Sequence, residues 1–568
     1  MSDVRSSPQR PVSEGPLTRA ARADARRRMY RRRRIGAAIA LGIVLVLVAV
    51  GASQVFGGND GGGNAGKEAA ADGASTDTEG EEATSAEAEK GSGEKKTPTT
   101  AASWAKTGLA PKPAEPYDGW VDPATSGQPW SSKVAGQLTF RGNPTRSYYG
   151  LGPVPKKPKV LWEFPGDGSM CGSSPVGGQA KVWCGTGWTG QPSVWEKDGK
   201  TWLAFGAYDK AVHFLDADTG KRLLEDFPVG DIIKGSVTVD PDGYPLLYTG
   251  SRDDYFHVVA LDRGAKPEQL WKMWSDEWKP HIWNNDWDGS ALVIDDYLFE
   301  GGENSYVHIV KLNRAKGADG KVTVAPELVY QGEGFDDELL SALPDKDISI
   351  ENSVAISGNT MYFGNSGGLI QGWDISGVKD GKDPTRTFRY WMGDDTDASV
   401  VVDKEGFLYV ASEYERQSTA ARSEEVGQLV KLDPRKPDDP LVWKVDDHEI
   451  LGQSGIWGTP AIADGVVYAD TNQGRVMGVD QKTGKILWTK QLPGPTWQSP
   501  VVVDDVLIQG DCNGFLHAYD VSDTRVDPPE LWSLELGGCI ESTPAVWHGQ
   551  IFVGTRAGQF FAITDPGA

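Results

Sequence analysis

From about residue 159 to the C-terminus, short apolar runs alternate with polar turns in one recurring phrase. A hydroxyl residue opens it, a short apolar strand and a turn follow, and a second strand ends in small residues. The phrase begins at Ser174 (SPVGGQAKVWCGT), Ser236, Ser290, Ser353, Ser399, Thr459 (TPAIADGVVYADT), Ser499 and Thr543. Runs of this length separated by Gly, Asp and Asn predict antiparallel strands joined by tight turns. The anchors lie 62, 54, 63, 46, 60, 40 and 44 residues apart. That is the length of a four-stranded propeller blade with loops of varying size.

A second marker gives the same count. Each unit should end in a strand carrying an aromatic residue, and the series reads Phe227, Trp271, Tyr330, Trp391, Trp443, Trp488 and Trp532. The unit from Thr543 stops at FFAI, and Val160-Leu-Trp162-Glu-Phe164, ahead of the first anchor, supplies its missing strand. A last blade completed by the beginning of the chain would close the ring and remove exposed sheet edges. The segment Met477-Gly-Val-Asp480-Gln-Lys-Thr-Gly484-Lys-Ile-Leu-Trp488, echoed by Phe214-Leu-Asp216-Ala-Asp-Thr-Gly220-Lys, resembles the repeat of pyrroloquinoline-quinone (PQQ)-like propellers. That family includes quinoprotein alcohol dehydrogenases and BamB-like proteins. The expected fold is all-β, an eight-bladed PQQ-like β-propeller of four-stranded antiparallel blades over residues 159–568. A lead-in segment, 104–158, is expected to pack on it, with Arg141-Gly142-Asn143 inside that segment.

The amino-terminal part follows a different pattern. Ile35–Phe56 is an uncharged run of 22 residues directly behind Arg26, Arg27, Arg28 and Arg31 to Arg34. It predicts one transmembrane helix with residues 1–34 as a cytoplasmic basic tail and the propeller outside the cytoplasm at the plasma membrane. A cleaved signal peptide ending near Val50-Gly51-Ala52 is the rival reading. Residues 57–103 contain no aromatic residue and predict a disordered acidic linker. Charge divides accordingly: the net −23 comprises +8 in residues 1–34, −6 in the linker and −25 in the remainder. An ectodomain this acidic argues against nucleic acid as a partner.

Four cysteines in an exported chain predict two disulfides. Cys171 and Cys539 precede the first and last anchors, while Cys184 and Cys512 end second strands, positions that meet on one face of a propeller. The preferred pairing, one of three connectivities, is therefore Cys171–Cys184 and Cys512–Cys539. His213, His257, His308 and His517 each fall in a third strand, one per blade, which predicts structural hydrogen bonding rather than a shared metal.

The loops before the anchors would build the top funnel, where the resemblance implies that quinoproteins hold PQQ and calcium. Here those loops carry Glu351, Asn352, Asp394, Asp395, Asp397 and Glu541, oxygen donors suited to a hard cation. Asn284, Asp286 and Asp288, in Asn284-Asn-Asp286-Trp-Asp288-Gly289, match the first half of a calcium loop, although Asp-Gly is also ordinary turn chemistry. Trp283, Trp287, Trp457 and Trp497 fall in the same loops and could bind a sugar or a cation by their faces. Adjacent cysteines and a CxxCH haem site, found among the quinoprotein alcohol dehydrogenases, are missing from the sequence. The expectation is therefore a non-catalytic binding or scaffold module of the cell envelope, with no cofactor and an envelope protein or glycan as partner. The alternatives are a PQQ/calcium-dependent dehydrogenase and a glycan- or cation-binding envelope sensor.

Overall fold

The computed structural model describes residues 104–112, 115–176, 178–187, 190–275 and 282–567. The basic tail, Ile35–Phe56 and the acidic linker lie outside them. No helix among the described residues is long and apolar enough to cross a membrane.

Eight antiparallel blades succeed one another, each with four chain-sequential strands except the last. Blade 8 takes Lys159–Phe164 as its outer strand, antiparallel to Phe560–Thr564, so the ring closes as the pattern predicts. The buried apolar side chains form clusters that neighbouring blades share, such as blades 1 and 2 around Phe214, Phe227, Val237 and Leu247. Burial between sheets is thus the main cohesive term.

The first unit differs from the expectation. Cys171–Val176 and Gln179–Cys184 pair only with each other, as a separate hairpin. Blade 1 is instead built from Ser193–Lys197, Lys200–Gly206, Ala211–Asp216 and Phe227–Pro228. Ser174 is therefore no blade anchor, and Gln191 holds that position. Its backbone N–H donates to Ser236 Oγ at 2.8 Å. In the same way the N–H groups of Ser290, Ser353, Ser399 and Thr459 donate to the hydroxyls of Ser353, Ser399, Thr459 and Ser499, each at 2.9 Å. The anchor hydroxyl is a stitch between blades, satisfying a backbone donor that the inner strand leaves unpaired. Gln191 offers no hydroxyl, and the N–H of Thr543 turns to the Gly190 carbonyl at 2.9 Å. A search for Ser or Thr passes over it.

The aromatic marker is a second stitch. Trp443 donates its indole N–H to the Gln481 carbonyl at 3.1 Å, and Trp162 donates to Ala217 at 2.8 Å. In each case the acceptor lies in the next blade's Asp-x-x-Thr-Gly turn, where Asp480 Oδ1 accepts Thr483 N–H at 2.7 Å. Gly484 closes that turn at φ +74°, and an added Cβ would lie 2.7 Å from Trp443. Glycine is required there for both conformation and space. In blade 4, Phe388 rather than Trp391 takes the marker position, opposite Gly372 and beside the register shift that also adjoins Trp488 in blade 6.

The lead-in segment does more than pack on the ring. Every residue from Gly136 to Tyr149 is buried, and the segment touches all eight blades from within. Gly136–Gln137 adds an inner strand to blade 1, and Gly150–Leu151 runs parallel to the inner strand of blade 8. Leu138, Pro144 and Thr145 offer carbonyls to Val239, Ile356 and Val402 in blades 2, 4 and 5. Arg146 donates to Ser290 O at 2.7 Å in blade 3, while Arg141 donates to Pro460 O at 2.7 Å and Pro500 O at 2.5 Å in blades 6 and 7. The segment is a plug on the propeller axis.

Candidate functional site

Above the plug the axis opens as a cavity of about 280 Å³, counted to its open mouth. Phe140 closes the inner end, Glu351, Asn352 and Asp397 with the indoles of Trp457 and Trp497 form the wall, and anchor hydroxyls lie between them. The two indoles stand 5.3 Å apart at 35°. The bore is narrow, with clear room for about one water-sized group. Five residues singled out from sequence, Glu351, Asn352, Asp397, Trp457 and Trp497, are thus brought together. The propeller does this by returning each pre-anchor loop to the axis.

Asn352 donates to the Thr396 carbonyl at 2.9 Å and accepts from Gly364 N–H, tying blade 4 to blade 5. Glu351 accepts from Ser349 Oγ at 2.7 Å and lies 3.9 Å from Lys234 Nζ. Lys234 also pairs with Asp288 and, at 3.2 Å, with Glu303. Burial would lower the Lys234 ammonium, but Asp288, Glu303 and Glu351 outweigh it and hold it charged well above its ordinary value. Asp286 is taken by Arg252 at 2.6 Å, and Asn284 donates to Asp286 and Glu303. Asp286 and Asp288 therefore answer two internal cations, Asn284 bridges Asp286 to Glu303, and Asp288 groups with Glu303 and Glu351, ligand oxygens within 4.8 Å of one another, rather than with Asn284 and Asp286.

A second acidic group lies on the blade 4–5 side. Asp395, Asp397 and Glu413, all buried, place ligand oxygens within 4.8 Å of one another. Asp395 is fully buried, and neither of its oxygens has a hydrogen-bond partner. Burial, then the charge of Asp397, push its carboxyl well above the usual range. Arg416 is the neighbouring counter-charge, but it also faces Asp345 at 3.6 Å and Asp347 at 3.8 Å. Asp394 turns away from the cavity and accepts the N–H groups of Asp395, Glu415 and Arg416. Burial raises it to about 6.

Other expected site residues lie elsewhere. Trp287 is fully buried, packed 5.8 Å from Phe256 and 5.1 Å from His308, so it is interblade core and not a binding face. Trp283 is half-buried outside the cavity lining, and Glu541 pairs with Arg556 at 2.8 Å. Both expected disulfides are present, Cys171–Cys184 across its own hairpin and Cys512–Cys539 beside the start of blade 8. Each histidine meets acids or amides of its own blade: His213 sits between Asp209 at 3.1 Å and Asp226 at 3.0 Å, and His257 reaches Gln269 at 2.9 Å. Sequence reasoning missed Phe140, Lys234, Arg252, Glu303, Glu413 and Arg416. The last four follow second strands, Arg252 and Glu303 in the turns there and Glu413 and Arg416 in and after the short strand Glu413–Tyr414.

Comparison with known proteins agrees with this architecture. The family profile described as outer membrane protein assembly factor BamB matches residues 425–564. Over 73 residues the chain is 36% identical to BamB of Xanthomonas campestris pv. campestris, covering 13% of this chain and 18% of that protein. Over 123 residues it is 28% identical to the dehydrogenase subunit of a quinone alcohol dehydrogenase of Gluconacetobacter polyoxogenes, covering 22% of this chain and 12% of the relative. The solved structure of a europium-containing methanol dehydrogenase superposes with a TM-score of 0.51 at 11% identity, over 76% of this chain and 98% of that one. The chain is thus similar to PQQ-like propellers of two kinds, and the structural likeness is one of fold.

The residues present separate the two groups this likeness implies. The bore offers clear room for about one water-sized group, less than a fused three-ring quinone needs, and no basic side chain among the described residues lines it. A hard cation does match the donor chemistry of Asp395, Asp397 and Glu413, three carboxylates of which one has both oxygens unpartnered.

Proposed function

We propose that this chain is a membrane-anchored β-propeller, displayed outside the cytoplasm, that serves as a non-catalytic binding or scaffold module of the cell envelope. One observation carries the reading: the axis is filled by the plug from Gly136 to Tyr149, which leaves a bore about one water wide over Phe140. What remains for recognition is a rim of loops and a narrow axial mouth, a surface suited to a partner's protruding group rather than to an enclosed planar substrate. The arginine-flanked apolar run supports a single-pass anchor with a cytoplasmic N-terminus, and the two disulfides support an oxidising compartment.

A PQQ-dependent dehydrogenase is the second reading, favoured by the acidic group beside the cavity. Asp395, Asp397 and Glu413 would hold a calcium ion, which would supply charge neutralisation there. Titrating the full-length protein with PQQ and calcium, followed by tryptophan fluorescence and dye reduction, separates the readings. The binding module shows neither saturable quenching nor turnover. Saturable quenching together with dye reduction would replace it with the dehydrogenase.

A further inference from the structure

The axial cavity has a composition that selects among ligands. Its wall presents two carboxylates, Glu351 and Asp397, two indoles and a set of hydroxyls, and no basic side chain among the described residues. Behind Asp397 lies Asp395, fully buried with both oxygens unpartnered. Buried carboxylates without donors are costly, and such a group needs a physical account. Arg416 is shared with Asp345 and Asp347, and Lys234 with Asp288, Glu303 and Glu351, so the internal cations are already distributed over several acids. The region therefore attracts a further positive charge from the mouth.

Three features narrow the class of cation. Indole rings give no oxygen ligand to a divalent metal, but their faces attract organic cations. The bore has clear room for about one water-sized group, which favours a compact –NH3⁺ head over a planar guanidinium, a trimethylammonium group or a sugar ring. The carboxylates and the second lone pairs of the anchor hydroxyls supply acceptors only, matching a head that has three donors and no acceptor.

We infer that the axial cavity over Phe140 binds a primary ammonium group on an unbranched alkyl stem, the head on Asp397 and Glu351 and the stem lying against the indole pair of Trp457 and Trp497. This assignment rests on reading the top face as a binding surface. Two sources share the chemistry, a free diamine and the lysine side chain of a partner protein.

The test uses full-length protein at low salt with EDTA, read by calorimetry and tryptophan fluorescence. The ligands are putrescine and a lysine-containing hexapeptide, with tetramethylammonium and n-butanol as controls. Saturable binding of putrescine or the peptide is expected, with tetramethylammonium and butanol silent. Tighter putrescine binding points to the free diamine, and tighter peptide binding to a partner's lysine. Asp397→Asn should weaken binding roughly tenfold or more, and Trp457→Ala about fivefold. An unchanged thermal transition shows that the ring is intact in each variant, and Glu351→Gln replaces any variant that fails this control. Absence of saturable binding, equal binding by butanol, or full affinity in folded Asp397→Asn or Glu351→Gln would overturn the assignment. PQQ-dependent turnover would instead remove the reading it rests on, so the two failures are distinguishable.

Discussion

Within a few residues of Phe140, the propeller axis carries two opposite solutions to buried charge. On the inner side, Arg146 makes five hydrogen bonds of 2.6–3.1 Å to Thr139, Phe140, Ser290 and Val354. Arg141 is held by two proline carbonyls and lies 4.3 Å over the Tyr149 ring. Burial pulls Arg146 down to about 9 and Arg141 to about 10, still above neutral pH, so both remain charged in a cage of backbone dipoles. On the outer side, carboxylates outnumber their cations and the Asp395 oxygens have no hydrogen-bond partner. The first arrangement pins four blades, 3, 4, 6 and 7, to one segment. The second reaches the open cavity through Asp397, with Asp395 buried behind it. The two plug guanidiniums spend most of their N–H groups on backbone carbonyls, whereas the Asp395 carboxyl has no hydrogen-bond donor.

The largest test of this contrast is Arg146→Met. It leaves carbonyls of two blades and the plug unpaired in the core, and a loss of about 3–5 kcal/mol is expected in denaturant unfolding. A loss below about 1 kcal/mol, the scale of one ordinary hydrogen bond, would mean that the plug does not hold the ring. On the open side the sign should reverse. Asp395→Asn removes the cost of keeping this buried carboxyl protonated at neutral pH, a cost that burial and the charge of Asp397 impose, and a gain of about 1–2 kcal/mol is expected, as when a functional site's strain is relieved. A loss instead would show that Asp395 is already compensated, and the contrast would fail.

The smallest effect sharpens it through pH. Burial lifts Asp394 from 3.8 to about 6, so the folded state binds its proton more tightly than the unfolded chain does. That stabilisation is complete below about 3.8 and is lost as pH rises through about 6. Wild-type protein should therefore gain thermal stability relative to Asp394→Asn on acidification from pH 7 towards pH 4. Parallel curves for the two proteins would place the titration elsewhere.

Much of this was readable in the chain. The hydroxyl anchors of blades 2 to 8 repeat because most of them make the same bond between blades, so the unit advertises itself. Where a copy does its work by other means, the pattern misleads: Gln191 supplies an amide instead of a hydroxyl, and Ser174 belongs to a hairpin. Loop position brought Glu351, Asp397, Trp457 and Trp497 to the cavity correctly. It misplaced Trp287, because Gly250 leaves room for its Cβ, which an added methyl would approach to 2.4 Å, and the indole turns into the core. Lys234, Arg252 and Arg416 were not legible, since each is separated in sequence from most of the acids it neutralises.

Sequence alone determined the repeat, the closure by Val160–Phe164 and the acidic character of the top loops, because these rest on local patterns and on copy number; it favoured one disulfide pairing of three, and the structure holds that one. Tertiary structure decided how the axis is used. Whether the lead-in segment lies under the ring or fills its channel depends on contacts with all eight blades at once, and no local pattern reports such a sum. The same holds for charge: composition counts the acids, but only the folded ring shows which have a partner and which face the mouth.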